Sequence, residues 1–429
     1  MTIIKLVNLA LRNLLRNSRR TFITVLVSAA GFAALAVFAG YMDFSFFGLR
    51  ELTICRGFAT GGGTGHVQVF RQDALEKEEA YVLQFGIADK EILLKDIEAM
   101  EHVAFAMPRI EFNGLVSNGD KSISFMGLGV DPAGEAGLIH YWNSLKTVGS
   151  RKQMSDAAYQ QLEEAGPYGV LLGEEMSNVL QAQQGDNLML MSTTVDGAVN
   201  VVDVTVAGVI RGAMSALDAH YLVTSIDAAG SLLQSDKVSK LVVVLDETDM
   251  TESGAQNIDR VINGGSGEGL FAVVTWDQLA EYYDSVRDIY TIIFGFTGGI
   301  VVTIVFLGCV NTMLMSTMER VREIGTLKAI GVSNGWIAQM FLFEGFFIGI
   351  LSILAGIVLQ HAFLIIINHS GIMMPPPPGM SSSYQLRIFP APGYLPWIAL
   401  LIVMSTTFSG LLTLQKIRKL SIVDSLSHA

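Results

Sequence analysis

Gly61-Gly62-Gly63-Thr64-Gly65 is the most phosphate-friendly string in the chain. Glycine backbone can wrap an anion, but a phosphate-binding loop also needs a following Gly-Lys-Ser/Thr, whose lysine reaches the phosphates. None follows here, so the string reads as a flexible loop, and the chain is not expected to hydrolyse ATP alone. Gly331-Val332-Ser333-Asn334-Gly335 spells the nucleophile elbow of serine hydrolases. That chemistry requires a strand–turn–helix context with a partner histidine and acid. Here the string lies in a short loop between two apolar runs. The seven histidines show no metal-ligand spacing, and His66 and His220 stand alone as structural residues. No metal site and no catalytic constellation emerges.

Other residues have types suited to docking and close packing rather than to catalysis. Loop 319–335 begins Glu319-Arg320-Val321-Arg322-Glu323-Ile324-Gly325-Thr326-Leu327-Lys328-Ala329-Ile330-Gly331. Ile324, Leu327, Ala329 and Ile330 give a short amphipathic helix with a basic flank, and Gly331 stops it. Such a helix suits docking to another protein; a peripheral helix on the membrane surface is an equal reading. Glu344 stands about eight residues into an apolar run. An intramembrane carboxylate is expensive and marks function by default, unless the run starts later and Glu344 is interfacial. Small residues recur at helical spacing: Gly295 with Gly299, Gly345 with Gly349, and Ala36 with Gly40. They let helix backbones approach closely in lipid, either within one subunit or between two.

These residues sit in a chain of 429 residues that is 51% hydrophobic and only 16% charged. That is too apolar for an ordinary soluble protein. The net charge of −12 argues against nucleic acid as a partner. Residues 48–288 carry a net −19 and the remainder a net +7, so an acidic block sits inside a basic, apolar frame. Four stretches reach the roughly 20 residues that a membrane helix needs: Phe22–Met42, Ile289–Met318, Trp336–Ile367 and Tyr394–Leu414. The first is longer than a signal-peptide core and reads as an uncleaved anchor. Cys55 lies in the acidic block and Cys309 within an apolar run, so they make a poor disulfide pair.

Lysine and arginine in short flanks set the orientation. Lys5, Arg12, Arg16, Arg19 and Arg20 precede the first span. Arg320, Arg322 and Lys328 lie in loop 319–335, and Lys416, Arg418 and Lys419 in the tail, whereas loop 368–393 holds only Arg387. The expected order is a cytoplasmic amphipathic helix 1–20, span 21–47, outside block 48–288, span 289–318, cytoplasmic loop 319–335, span 336–367, Pro-rich outside loop 368–393, span 394–414 and cytoplasmic tail 415–429. Helix 1–20 places Ile3, Val7, Ala10 and Leu14 on one face, which suits an anionic leaflet; a plain topogenic basic cluster is the alternative. In the block, His66–Phe70, Ser122–Val130, Val199–Ile210 and Lys240–Leu245 read as strands. Asp89–Met100, Asp227–Gln234 and Thr251–Ile262 read as helices, Ser225 or Asp227 capping the second. From Trp276 the chain reads as one helical stalk into the second span. The fold class is a polytopic α-helical membrane protein with four spans and a large α+β domain inserted between the first two.

Met318–Gly345 resembles the signature of the FtsX-like permease domain: Arg-x-Arg-Glu-Ile-Gly-Thr-Leu-Lys-Ala-Ile-Gly, then an apolar helix bearing Glu344-Gly345. The order of one span, a large outside domain and three spans resembles permeases of the MacB and LolC/LolE types. Leu11-Arg12-Asn13-Leu14 with Arg19-Arg20-Thr21 is similar to their opening helix. Gly173-Glu174-Glu175, Gly185-Asp186 and Gly208-Val209-Ile210 are similar to landmarks of their periplasmic core. The resemblance implies a bacterial inner-membrane permease that dimerises with a second copy or a paralogue and works with a separate ABC ATPase. ATP and Mg would bind that ATPase, no cofactor this chain. Arg320, Arg322, Glu323, Ile324, Gly325, Leu327, Lys328 and Gly331 would form the coupling helix seated on the ATPase. Glu344 would stabilise the cytoplasmic end. Closure of the ATPase would pass up the stalks to the periplasmic domains, a process called mechanotransmission.

Two features depart from the pattern. MacB-type pumps carry their ATPase on the same chain, and Pro375-Pro376-Pro377-Pro378-Gly379 lies outside the signature; it is either a partner site or a rigid spacer. The leading function is an ABC permease that extracts or expels a lipoprotein or a hydrophobic molecule, with a periplasmic carrier or lipoprotein as a further partner beside membrane lipid. The alternative is a regulator that relays ATPase state to periplasmic hydrolases or adaptors. A membrane-anchored periplasmic enzyme ranks third.

Overall fold

The computed structural model describes residues 10, 12–16, 18–57, 62–77, 83–145, 155–210, 218–264, 269–319, 321–375 and 384–418. The chain divides into two compact units. One comprises Met1–Phe46, Asp288–Ile372 and Leu386–Ala429, the other Phe47–Arg287 and Met373–Gln385.

The first unit is helical. Among the described residues, three helices are long and apolar enough to cross a membrane: Ser18–Arg56, Tyr283–Met315 within the longer Glu281–Glu319, and Asn334–Ser370. A fourth apolar helix runs Leu395–Arg418. Lipid offers no hydrophobic gain between helices, so close packing of small residues must hold them. A Cβ on Gly345 would stand 2.5 Å from the Thr406 carbonyl oxygen, and one on Gly349 3.1 Å from the Val403 Cα. Helices Asn334–Ser370 and Leu395–Arg418 therefore meet almost backbone to backbone. A Cβ on Gly356 would lie 2.6 Å from the Phe32 ring. Phe32, Ala36, Val305, Cys309, Ile398 and Ile402 fill the middle of the bundle, and the Ser28 hydroxyl lies 3.0 Å from the Cys309 sulfur. Both cysteines are free and buried.

The second unit is built on nine strands: β1 Val67–Arg71, β2 Val103–Ser117, β3 Ser122–Val130, β4 Gly169–Gly173, β5 Asn187–Thr193, β6 Val199–Ile210, β7 Tyr221–Ser225, β8 Lys240–Leu245 and β9 Phe271–Thr275. β2 is long enough to pair with three other strands of one sheet. Its first half pairs antiparallel with β8, which continues through β1 to β9. Its second half pairs with β3 on one side and β5 on the other. β3 continues to β7, β4 and β6, and β6 returns to β5. The six strands β2, β3, β7, β4, β6 and β5 thus close a hydrogen-bonded ring, which removes exposed strand edges. Ile110, Phe112, Val116, Phe125, Leu188, Leu190, Val204 and Val206 belong to the core cluster of this unit. Helices cover its flanks, and Ser225 caps Ile226–Leu233 by accepting from the Ala228 N–H at 3.0 Å.

The four expected strands appear as β1, β3, β6 and β8. Three expectations change. β2, β4, β5, β7 and β9 have no counterpart among the expected strands. The stalk from Trp276 is not one helix: Trp276–Leu279 ends at Ala280, whose φ of −104° and ψ of 60° are not helical, and Glu281–Glu319 begins after it. The glycine string is not a flexible loop where it is described: Gly63, Thr64 and Gly65 are buried. The chain there turns back on the end of Ser18–Arg56. The Thr64 and Gly65 N–H groups donate to the carbonyls of Thr53 and Ile54. A Cβ on Gly63 would stand 2.6 Å from the Cys55 backbone, so glycine serves close approach rather than mobility. Gly61 lies outside the described residues.

Candidate functional site

Three places gather the residues singled out above. The first is the helix Val321–Ala329. Its end is a Schellman turn: the Gly331 N–H donates to the Lys328 carbonyl and the Val332 N–H to the Leu327 carbonyl, with Gly331 at φ +88°. Ser333 then caps Asn334–Ser370 by accepting from the Trp336 N–H at 3.4 Å. The serine of the elbow-like string is thus a helix cap. Arg322, Glu323, Thr326, Ala329 and Ile330 are exposed, and Leu327 and Lys328 are half-buried. Ile324 and Gly325 turn inward, Ile324 packing on Ile337, Met340 and Phe341. The outward apolar face is therefore Leu327, Ala329 and Ile330 without Ile324. Arg320 lies outside the described residues.

Glu323 is engaged within the chain. Its carboxylate accepts from Arg16 Nη2 on both oxygens, at 2.6 Å on Oε2. Arg16 belongs to the segment expected to lie on the leaflet. Of its described apolar residues, Ala10 is buried and Leu14 packs on Met313 and Ile348, whereas Leu15 is 80% exposed. Residues 1–9 of that helix lie outside the described residues.

The second place is a polar pocket within the bundle, lined by Arg20, Thr21, Thr24, Thr312, Met313, Phe341, Glu344 and Ile348. Glu344 is 6% exposed, buried among the helices. Gly345 beside it is taken up by the contact with Thr406. A Cβ on Gly295 or Gly299 would meet no atom within 4 Å, and both residues lie on open helix surface. The Pro-rich loop is clasped by Asn368, whose side chain accepts from the Ile388 N–H at 2.9 Å and donates to the Ile388 carbonyl at 3.1 Å. Pro376, Pro377 and Pro378 lie outside the described residues.

The third place is the root of the second unit, which the sequence did not reveal. Leu52, Ile54 and Cys55, at the end of Ser18–Arg56, pack with Trp142 and with Trp276, Ala280 and Tyr283, which lead into the second long helix. Both stalk ends therefore share one cluster. Beside it lies a buried polar chain. Glu51 Oε1 accepts from Arg50 Nε at 3.0 Å and from the Thr248 hydroxyl at 2.9 Å. The Thr248 hydroxyl lies 3.1 Å from His66 Nε2 and 3.3 Å from the Tyr141 hydroxyl. His66 Nδ1 accepts from the Leu245 N–H at 3.1 Å, which puts the ring proton on Nε2. Burial, aided by Arg50, pushes the His66 pKa down to about 3, so this imidazole is neutral. Burial raises the Glu51 carboxyl against the pull of Arg50 and Thr248.

A second buried link fastens the returning loop. Arg109 on β2 is 1% exposed; its Nε donates to Glu135 Oε1 at 2.6 Å and its Nη1 to the Gly63 carbonyl. Burial works against this guanidinium, but Glu135, with Tyr221 and Tyr159, carries its pKa above the ordinary value. Among the described residues no three His, Cys, Asp or Glu side chains gather as metal ligands would.

The chain is similar to known proteins. The profile of the MacB-like periplasmic core domain matches residues 21–261, more than half of the chain, and that of the FtsX-like permease C-terminal region matches residues 295–422. An ABC transporter permease of Methanocaldococcus jannaschii is 29% identical over 155 residues, 36% of this chain and 39% of that protein. The lipoprotein-releasing system transmembrane protein LolC of Xylella fastidiosa is 23% identical over 262 residues, 60% of this chain and 59% of that protein. These matches span less than two thirds of either relative. The periplasmic region of MacB from Actinobacillus actinomycetemcomitans aligns at a TM-score of 0.34 and 11% identity, over 52% of this chain and 94% of that one.

Proposed function

The chain belongs to the FtsX-like permeases that carry a MacB-like periplasmic core domain, and from that premise we propose that it is the permease subunit of an ABC transporter working by mechanotransmission. A separate ATPase, holding ATP and Mg, docks on the exposed side of Val321–Ala329. A second permease copy or a paralogue completes the assembly in a bacterial inner membrane. The cargo is an envelope-associated lipoprotein or hydrophobic molecule, in keeping with the similarity to a lipoprotein-releasing protein.

One observation carries the reading. The short helix follows directly on Glu281–Glu319, a helix of 39 residues, about 58 Å long at 1.5 Å per residue. Its far end enters the cluster that also holds the end of Ser18–Arg56, itself 39 residues. In this reading, displacement of Val321–Ala329 passes along this helix to the root of the outer unit. There the Glu51–Thr248–His66–Tyr141 chain ties the end of Ser18–Arg56 to the β-structure, and the Arg109–Glu135 pair fastens the loop that returns on it.

The experiment is affinity purification of the full chain from its own cells in mild detergent. An ATPase should co-purify in stoichiometric amount, and Leu327→Asp, which puts a charge on the docking face, should remove it. A chain that brings down no ATPase, or a Leu327→Asp variant that retains it fully, refutes the reading.

A further inference from the structure

Glu323, one of the residues expected to face a partner, is tied to Arg16 instead. The tie is one of several contacts made by the same short segment. Leu14 is 4% exposed and packs on Met313 of Glu281–Glu319 and on Ile348 of Asn334–Ser370. The Asn13 amide lies 3.7 Å from the Met340 sulfur, one turn before Glu344. The Thr21 hydroxyl reaches back to the Leu14 carbonyl at 3.1 Å, which ties this segment to Ser18–Arg56. Arg20, Thr21 and Thr24 then line one pocket with Thr312 and Glu344. Residues 12–16 thus touch all three long helices, and Arg16 joins them to the short helix between two of these.

We infer that residues 12–16 are a second input arm, in which Arg16 is a positioning residue that couples the short helix Val321–Ala329 directly to the first long helix. The inference rests on the permease reading above and deepens it. Displacement of Val321–Ala329 has an obvious outlet through Glu281–Glu319. The Arg16–Glu323 tie supplies another: it draws the segment ahead of Ser18 along with the short helix, so both long helices receive the stroke together. An ion pair this exposed adds little to stability, because water screens it and two long side chains must be ordered. Its contribution is register. The pairing has a defined partner and polarity, so reversing both charges preserves it while reversing one repels.

The test uses the full chain with its co-purified ATPase in lipid nanodiscs. Three variants are compared: Arg16→Glu, Glu323→Arg and the double swap R16E/E323R. Two quantities are read, the amount of ATPase retained and the permease-stimulated rate of ATP hydrolysis. Arg16→Glu should retain the ATPase and lower the stimulated rate at least threefold, and the double swap should return it to within twofold of the parent. A merely structural role would change the yield of the complex and leave the rate per retained ATPase unmoved. An unchanged rate in Arg16→Glu overturns the inference, as does a double swap that fails to recover. Should Glu323→Arg strip the ATPase and the second substitution fail to return it, Glu323 is a docking residue and the tie has no transmitting role. Loss of the permease reading itself would look different: the unsubstituted chain would bring down no ATPase.

Discussion

Replacing Glu135 by leucine is the sharpest probe of the outer unit. Arg109 and Glu135 are 1% and 3% exposed, and no other carboxylate is bonded to Arg109 among the described residues. Removing one partner leaves a guanidinium charge in the interior, which costs about 3–5 kcal/mol. The double substitution Arg109→Met with Glu135→Leu removes the charge altogether. It leaves only the Gly63 carbonyl without its donor, a loss of about 1–3 kcal/mol. The double variant should therefore be more stable than the single one. Cys55 supplies the assay. It is a free buried thiol whose pKa is raised well above normal by burial and by Glu51, so it reacts only on opening. Its backbone touches Gly63, which Arg109 holds. Labelling of Cys55 with a maleimide, followed peptide by peptide, thus reports opening of this joint. At about 1.4 kcal/mol per tenfold, Glu135→Leu should accelerate labelling by roughly two to three and a half orders of magnitude. At the middle of the two ranges, about 4 against about 2 kcal/mol, the double variant should give back roughly thirtyfold of that. An acceleration below tenfold in Glu135→Leu, or a double variant that labels no more slowly than the single one, would refute the argument that the pair is a buried charge clasp.

Two further outcomes follow from the same geometry. His66 binds a proton in the unfolded chain near pH 6.5 but refuses it when folded until about pH 3. Its contribution is therefore complete above about pH 6.5 and declines as pH falls, by about 2 kcal/mol at pH 5. Glu51, with its raised carboxyl, acts in the opposite sense and moderates the decline. Urea midpoints at pH 7.5 and 5 should diverge in the parent and less so in His66→Gln; equal divergence in both would exclude His66 as the cause. Gly345→Ala should lower the thermal midpoint in detergent, because its Cβ meets the Thr406 carbonyl at 2.5 Å, an overpacking cost of about 1–3 kcal/mol. Gly299→Ala meets nothing within 4 Å and should leave the monomer unaffected. Matching shifts in the two variants would contradict the packing described for the bundle.

Composition, hydropathy and charge asymmetry were enough to establish a membrane protein with a large α+β insertion, because burial in lipid imposes long apolar runs that any reading of the chain detects. Helix stops were equally local: Gly331 ends the short helix and Ser225 caps another within a few residues of themselves. Strand β5 escaped notice for a physical reason. Asn187–Thr193 alternates Leu188 and Leu190, which face the core, with Met189 and Met191, which are exposed, so both faces are apolar and the period-two signal vanishes. β2 was hidden because its buried residues do not alternate regularly: Met107, Ile110, Phe112 and Val116 are buried at uneven spacing. The two sets of small-residue spacings were identical in sequence, and only packing separates Gly345 and Gly349, pressed on a neighbouring helix, from Gly295 and Gly299, which are open. The same holds for charge. Arg16 and Glu323 are 307 positions apart, Arg109 and Gly63 46, and Glu51 and Thr248 197. Local chemistry decides where a helix begins, ends and enters lipid. Which carboxylate meets which cation depends on how distant segments are brought together, and that is a property of the folded chain alone.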